Sequence, residues 1–169
     1  MLLNGNAESG EDAWLATLAP LTIRTQRYGA NTFPAATDVG PPSRGASFFY
    51  GGPTASADSH QLVDVSAFAD RISAGARFSL SAYLGGAAGQ DDRAAVVLRL
   101  RAADGSNLET ETIGGPYASE RLGKTALLAN KLDGRLPTAT RSIDVHLVMV
   151  RGSGTDDDGY ADNLVLTLH

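Results

Sequence analysis

The 169-residue sequence contains no cysteine, which excludes a disulfide framework, a cysteine-based zinc site and thiol catalysis. Aromatic residues are scarce, at 7% of the chain with one Trp, so few side chains are available to stack on a ligand. Positive charge is also short. Lys and Arg number 14 against 19 Asp and Glu, a net charge of -5, which argues against a nucleic-acid partner, since such a partner selects a basic face. No apolar run approaches the roughly 18 residues of a membrane span. The start, Met1-Leu2-Leu3-Asn4-Gly5, lacks the basic n-region and long h-region of a signal peptide. These absences leave a soluble domain, mature or excised, with no membrane insertion. The apolar fraction of 43% is ordinary, and a chain this long buries about 70% of its unfolded surface as one domain, residues 1–169. Glycine is abundant, with 19 residues.

Apolar periodicity is mostly two. Phe78, Leu80, Ala82 and Leu84 alternate with Arg77, Ser79, Ser81 and Tyr83; Val96, Leu98 and Leu100 alternate with Val97, Arg99 and Arg101. Ile143, Val145, Leu147 and Met149 alternate with Asp144, His146, Val148 and Val150, and Leu164, Leu166 and Leu168 with Val165 and Thr167. This alternation predicts half-buried antiparallel strands. Weaker strands are expected at Leu21–Tyr28, Ala46–Tyr50, Gln61–Val65, Leu108–Ile113 and Lys124–Asn130. Between the strands lie glycine-rich turns, with Asp104-Gly105 the strongest hairpin signal. One short helix is expected at Ala67–Ala74, capped by Ser66 and stopped by Gly75. About nine short strands and one short helix predict an all-β antiparallel sandwich or barrel.

No catalytic motif is present: there is no Gly-x-Ser-x-Gly elbow, no His-Glu-x-x-His helix and no phosphate loop opening a helix. Of the three histidines, His146 lies on the alternate face of a strand, His60 precedes a strand and His169 ends the chain. The chain is not expected to be an enzyme. The acidic run Asp156-Asp157-Asp158-Gly159-Tyr160-Ala161-Asp162-Asn163 offers oxygen ligands for a hard cation such as calcium. It is not an EF-hand: with Gly159 as the turn glycine, the twelfth position is Val165, which has no side-chain oxygen. Asp156, Asp157 and Asp158 are expected to form a solvated loop. Asp162 shares parity with Leu164, Leu166 and Leu168, so its carboxylate should point inward and need a metal, an Arg or backbone N–H groups.

The two chain ends resemble a known class. Asn4-Gly5-Asn6-Ala7-Glu8-Ser9-Gly10, followed by Trp14, and Tyr160-Ala161-Asp162-Asn163-Leu164-Val165-Leu166 resemble the opening and closing strands of jelly-roll carbohydrate-binding modules of the galactose-binding-like fold. The resemblance implies that the first and last strands lie together, that Trp14 is a core anchor, and that Glu8 and Asp162 hold a structural Ca2+ with backbone carbonyls. The segments Gly40–Gly52, Val63–Ser66, Leu80–Gly86, Gln90–Ala94 and Asp158–Asn163 are similar to a narrower group of secreted bacterial domains without a settled activity. That likeness implies a secreted, extracellular location. Ala87-Ala88 stands where an aromatic often follows in that group.

Sugar-binding sites stack aromatic faces on pyranose rings and clamp hydroxyls with polar side chains. Candidates here are Tyr83 by outward parity, with Tyr28, Tyr50 and Tyr117 nearby, and Arg44, Gln90 and Asp91 as polar companions. Glu120 with Arg121, and Arg93 beside Asp91 and Asp92, are expected to be structural ion pairs. Phe48 and Phe49 are adjacent, so one must leave the core unless a loop covers it. Two functions follow. One is a non-catalytic, calcium-stabilised module binding a polysaccharide or cell-surface glycan. The other is a structural, self-associating module of an adhesin, appendage or filament.

Overall fold

Alternating side chains leave each strand with one apolar face, and two sheets bury these faces against each other. The computed structural model describes residues 1–31 and 33–169. Among the described residues ten strands form: β1 (Leu15–Ala16), β2 (Arg24–Arg27), β3 (Ser47–Gly52), β4 (Ser56–Asp64), β5 (Arg77–Gly86), β6 (Arg93–Arg101), β7 (Asn107–Gly114), β8 (Ala126–Arg135), β9 (Ser142–Val150) and β10 (Asp157–Leu168). The first sheet has the order β1-β4-β9-β6-β7 and the second β2-β3-β10-β5-β8, each with antiparallel neighbours. The expected all-β sandwich is what forms.

The core lies between the sheets. Phe78, Leu80, Ala82 and Leu84 of β5 and Ala161, Leu164 and Leu166 of β10 come from one side; Val96, Leu98 and Leu100 of β6 and Ile143, Val145, Leu147 and Met149 of β9 come from the other. Each large aliphatic or aromatic side chain so buried contributes about 1.5–3 kcal/mol. Among the described residues no helix is long and apolar enough to cross a membrane.

Several expectations need correction. The tenth strand is β1, whose two residues pair Leu15 with His60 and are too few to show a period. β4 begins at Ser56, so His60 lies within a strand and does not precede one. The helix is a 3-10 turn at Ser66–Phe68 running into a short α-helix, α1 (Ala69–Ser73). Ser66 does not cap it; the Asp64 carboxylate accepts the Ser66 N–H at 2.8 Å instead. The Asp104-Gly105 hairpin joins β6 to β7 as expected. Gly105 has φ +82°, and Asp104 accepts the Ser106 N–H at 2.9 Å.

A bulge in β10 decides where Asp162 points. The register against β5 slips between Asp162 and Val165, and Asn163 sits in the left-handed region at φ +51°. One extra residue reverses the side-chain alternation. Ala161 and Leu164 both enter the core, while Asp162 turns to the outer face of the second sheet, opposite Tyr83. The shared parity of Asp162 and Leu164 is therefore broken.

That outer face is covered. Phe49 enters the main core; Phe48, fully buried, forms a second cluster with Leu127 and Tyr160, packed by Tyr28, Phe33, Tyr50 and Tyr83. The loop after β2 lies over it: Phe33 stacks 5.1 Å from Tyr50 and 5.9 Å from Phe48, and Leu127 N–H donates to Val39 O at 2.9 Å. At the sheet edges, β1 and β2 are short, β7 carries Glu109 and Glu111, and β8 carries a Lys131–Asp133 pair at 2.9 Å.

Candidate metal and ligand sites

The chain ends meet beside the β10 bulge. Asn4 Oδ1 accepts the Ser9 N–H at 3.0 Å, and Asn4 Nδ2 donates to Gly10 O at 2.8 Å, closing a compact turn. Leu164 N–H donates to Gly5 O at 2.8 Å. A Cβ at residue 5 would stand 2.1 Å from Leu164 O, which is why glycine sits there. Trp14 Nε1 donates to Asn4 O at 3.2 Å, and its ring packs edge-on to Phe49 at 5.7 Å.

Glu8 Oε1 accepts the Ala46 and Ser47 N–H groups at 2.9 and 2.8 Å. Asp162 is fully buried; Oδ2 accepts the Tyr28 hydroxyl and Oδ1 the Asn163 N–H, both at 2.7 Å. Burial pushes the Asp162 carboxyl up to about 7, and the Glu8 charge adds to the push against those hydrogen bonds. Among the described residues no cation forms an ion pair with either carboxylate. The charge of Arg44 works against that push. If a hard cation such as calcium binds at the chain ends, Glu8 and Asp162 are the two side chains that would hold it.

The tyrosines are brought together. Tyr28, Tyr50 and Tyr83, each half-buried, line the second cluster. Arg44 joins them 5.2 Å from the Tyr28 ring centre, with its guanidinium donating to Ala35 O, Asp38 O and Pro41 O at 2.9, 2.8 and 3.3 Å. Gln90 and Asp91 belong to the β5–β6 loop. Gln90 O accepts Arg121 Nη2 at 2.5 Å, and Asp91 Oδ1 accepts the Ala118 N–H at 2.9 Å.

Neither expected ion pair forms. Arg121 is buried and donates to the carbonyls of Gly86, Ala88, Gln90, Pro116 and Lys124, while Glu120 accepts the Tyr117 N–H. Arg93 lies over the Tyr117 ring at 4.5 Å. A guanidinium carries five donors in a fixed fork, and several loop carbonyls satisfy it where one carboxylate would not.

The acidic run is not a uniformly solvated loop. Asp156 is exposed, but Asp157 opens β10 and is fully buried. Its Oδ1 accepts the Gly159 N–H at 3.1 Å; Oδ2 has no partner among the described residues. Burial pushes its carboxyl up to about 7, and the charges of Asp92 and Asp158 add to this. Buried Asp92 is satisfied by the N–H groups of Gly152, Ser153 and Asp158 at 2.7–2.9 Å.

The outer face of the first sheet holds a cluster that sequence reading misses. The β4–β9 register sets His60 opposite His146 and Leu62 opposite Asp144. Asp144 Oδ1 lies 2.8 Å from His60 Nδ1, and Oδ2 lies 2.5 Å from Arg101 Nη2 and 3.3 Å from His146 Nε2. Burial works to raise the Asp144 pKa, but the His60 and Arg101 hydrogen bonds and the charge of His146 outweigh it and hold the group low. A groove of about 420 Å³, lined by His60, Leu62, Arg101, Ser142 and Asp144 among others, opens over this cluster. Strand alternation puts Asp144 and His146 on the polar face, which is a signal. The β4 pairing that adds His60 joins residues 86 positions apart, and no local pattern carries it.

No protein-family model matches the sequence, and no curated protein is similar to it. Among solved structures, the chain is similar to the tailspike protein 4 enzymatically active domain of bacteriophage CBA120, with a TM-score of 0.65 and 14% identity over 99% of this chain. It spans 21% of that chain. It is also similar to a family 16 carbohydrate-binding module-2, with a TM-score of 0.58 and 19% identity, covering 98% of this chain and 97% of that one. The fold is a carbohydrate-binding-module-like jelly roll.

Proposed function

We propose that residues 1–169 form one non-catalytic, extracellular domain that binds a polysaccharide or cell-surface glycan and is stabilised by Ca2+ at Glu8 and Asp162. The groove on the outer face of the first sheet carries the reading. It sets exposed Leu62 (64%) beside the donors and acceptors of His60, Arg101, Ser142 and Asp144, the mixture that a sugar's C–H face and hydroxyls require. The structural likeness to a family 16 carbohydrate-binding module-2 supports it. Tyr50, Tyr83 and Tyr28 with Arg44 form a second candidate surface, and Gln90 and Asp91 a rim, with Tyr28, Arg44 and Asp91 engaged in hydrogen bonds within the fold. Affinity electrophoresis against a polysaccharide panel with calcium present is the test. Loss of retardation in Leu62→Asp or Arg101→Ala supports the groove; loss confined to Tyr83→Ala moves the surface to the second sheet. Failure of the wild type to bind any polysaccharide overturns the reading.

The similarity to a domain within a tailspike protein favours the second reading, a self-associating module of an adhesin, appendage or filament. Sedimentation velocity at high concentration tests it, and a monomer throughout removes it.

A further inference from the structure

We infer that His60, Asp144 and His146 form a binding site for a divalent transition-metal ion of the zinc type, at the floor of the groove on the first sheet. One ligand atom from each residue lies within 4.8 Å of the others. The site stands apart from the calcium clasp and does not depend on the carbohydrate reading.

The histidine on β9 carries the argument. His146 is 2% exposed, and its Nδ1 lies 2.9 Å from Asp58 Oδ1. A carboxylate accepts only, so Nδ1 is the donor, and when the ring is neutral its lone pair lies on Nε2. That Nε2 has no hydrogen-bond partner among the described residues, and it faces Asp144 Oδ2 at 3.3 Å. With the ring neutral, two buried lone pairs face each other there, and either a proton on Nε2 or a metal ion between the two atoms relieves their repulsion. A carboxylate behind one imidazole nitrogen, fixing the tautomer so that the other can ligate, is the usual outer arrangement of a metal-bound histidine.

Zinc bonds of about 2.0–2.1 Å in a tetrahedron place neighbouring ligand atoms roughly 3.3 Å apart. His146 Nε2 stands at that distance from Asp144 Oδ2, while His60 Nδ1 lies 2.8 Å from the other oxygen, Oδ1, and would move outward to share the ion. Two imidazoles and one carboxylate select borderline metals over calcium. Three protein ligands leave a fourth position open, as in zinc sites that exchange water or ligand, and two of the three, His60 and Asp144, line the groove. Arg101 occupies Asp144 Oδ2 at 2.5 Å, so it swings out along its partly exposed side chain when an ion sits between Oδ2 and His146 Nε2.

The test is calorimetric titration of Zn2+ into the untagged, metal-free full chain at neutral pH, with calcium in excess. Binding of one equivalent is expected. His60→Ala, at a half-exposed position, should abolish it, and Asp58→Asn, which touches no ion, should weaken it about 10–100-fold. Cobalt substitution should give visible bands that vanish in His60→Ala. No saturable uptake by the wild type, or uptake unchanged in both variants, overturns the site. Circular dichroism on each variant separates loss of metal from loss of fold.

Discussion

The Tyr28 hydroxyl donates to Asp162 Oδ2 at 2.7 Å, joining residues 134 positions apart. Burial, and then the Asp162 charge, raise the Tyr28 pKa, so the phenol remains a donor throughout the neutral range. The pair fixes the end of β2 to the last strand and leaves Asp162 with a place for a closer counter-charge than Arg44, which favours the carboxylate without forming an ion pair with it.

If calcium supplies that charge, its removal is measurable. Ligand at 100 times its dissociation constant stabilises the native state by about 2.7 kcal/mol, and a domain this size gains about 2–4 °C per kcal/mol. Chelator should therefore lower the Tm by roughly 5–11 °C in scanning calorimetry. In Asp162→Ala, chelator should leave the Tm unchanged. A wild-type Tm indifferent to chelator would remove calcium from Glu8 and Asp162.

Asp157 should make stability fall as pH rises. Its folded value of about 7 lies above the unfolded value of about 3.9. The native state therefore holds more protons between those values, and stability drops from about pH 4 to pH 7. Asp157→Asn should flatten that slope and stabilise the chain above pH ~7 by about 1–3 kcal/mol, the cost of a buried unsatisfied group. Urea unfolding at several pH values, with calcium saturating, checks this. A steeper slope in the variant would refute it.

Gly5→Ala should open the clasp. The added methyl collides with Leu164 O and displaces the hydrogen bond to Leu164, with an expected loss of about 1–3 kcal/mol. Hydrogen exchange at the Leu164 amide should accelerate relative to the core amides of β6. Unchanged exchange would show that the clasp tolerates the methyl.

Arg121→Met should be severe. Five carbonyls would lose a charged donor, and each such bond contributes about 1.5–3 kcal/mol. A loss above about 3 kcal/mol in denaturant unfolding is expected; a loss under 1 kcal/mol would mean that water replaces the guanidinium.

Much of the framework was legible because strands announce themselves locally. Leu80, Leu98 and Val145 each sit in a clean period of two, and their buried faces follow directly. The meeting of the chain ends was legible only through resemblance, since Gly5 and Leu164 are far apart in the chain. The direction of Asp162 was not legible, because a bulge at Asn163 adds a residue without disturbing the pattern of leucines after it. Asp157 escaped notice because an acid beside two other acids looks solvated until a strand buries it. The histidine cluster depends on which strands are neighbours, and that is a property of the whole sheet.

The charged and shortened borders of the two sheets govern how copies of this domain can meet. Another chain adding itself as an eleventh strand would have to settle beside Glu109 and Glu111 on β7 or the Lys131–Asp133 pair on β8, or on strands of two and four residues. Charge and brevity at such borders oppose strand addition. A polymer of this domain that grows by stacking faces would have a repeat set by the thickness of the sandwich and not by the spacing of strands.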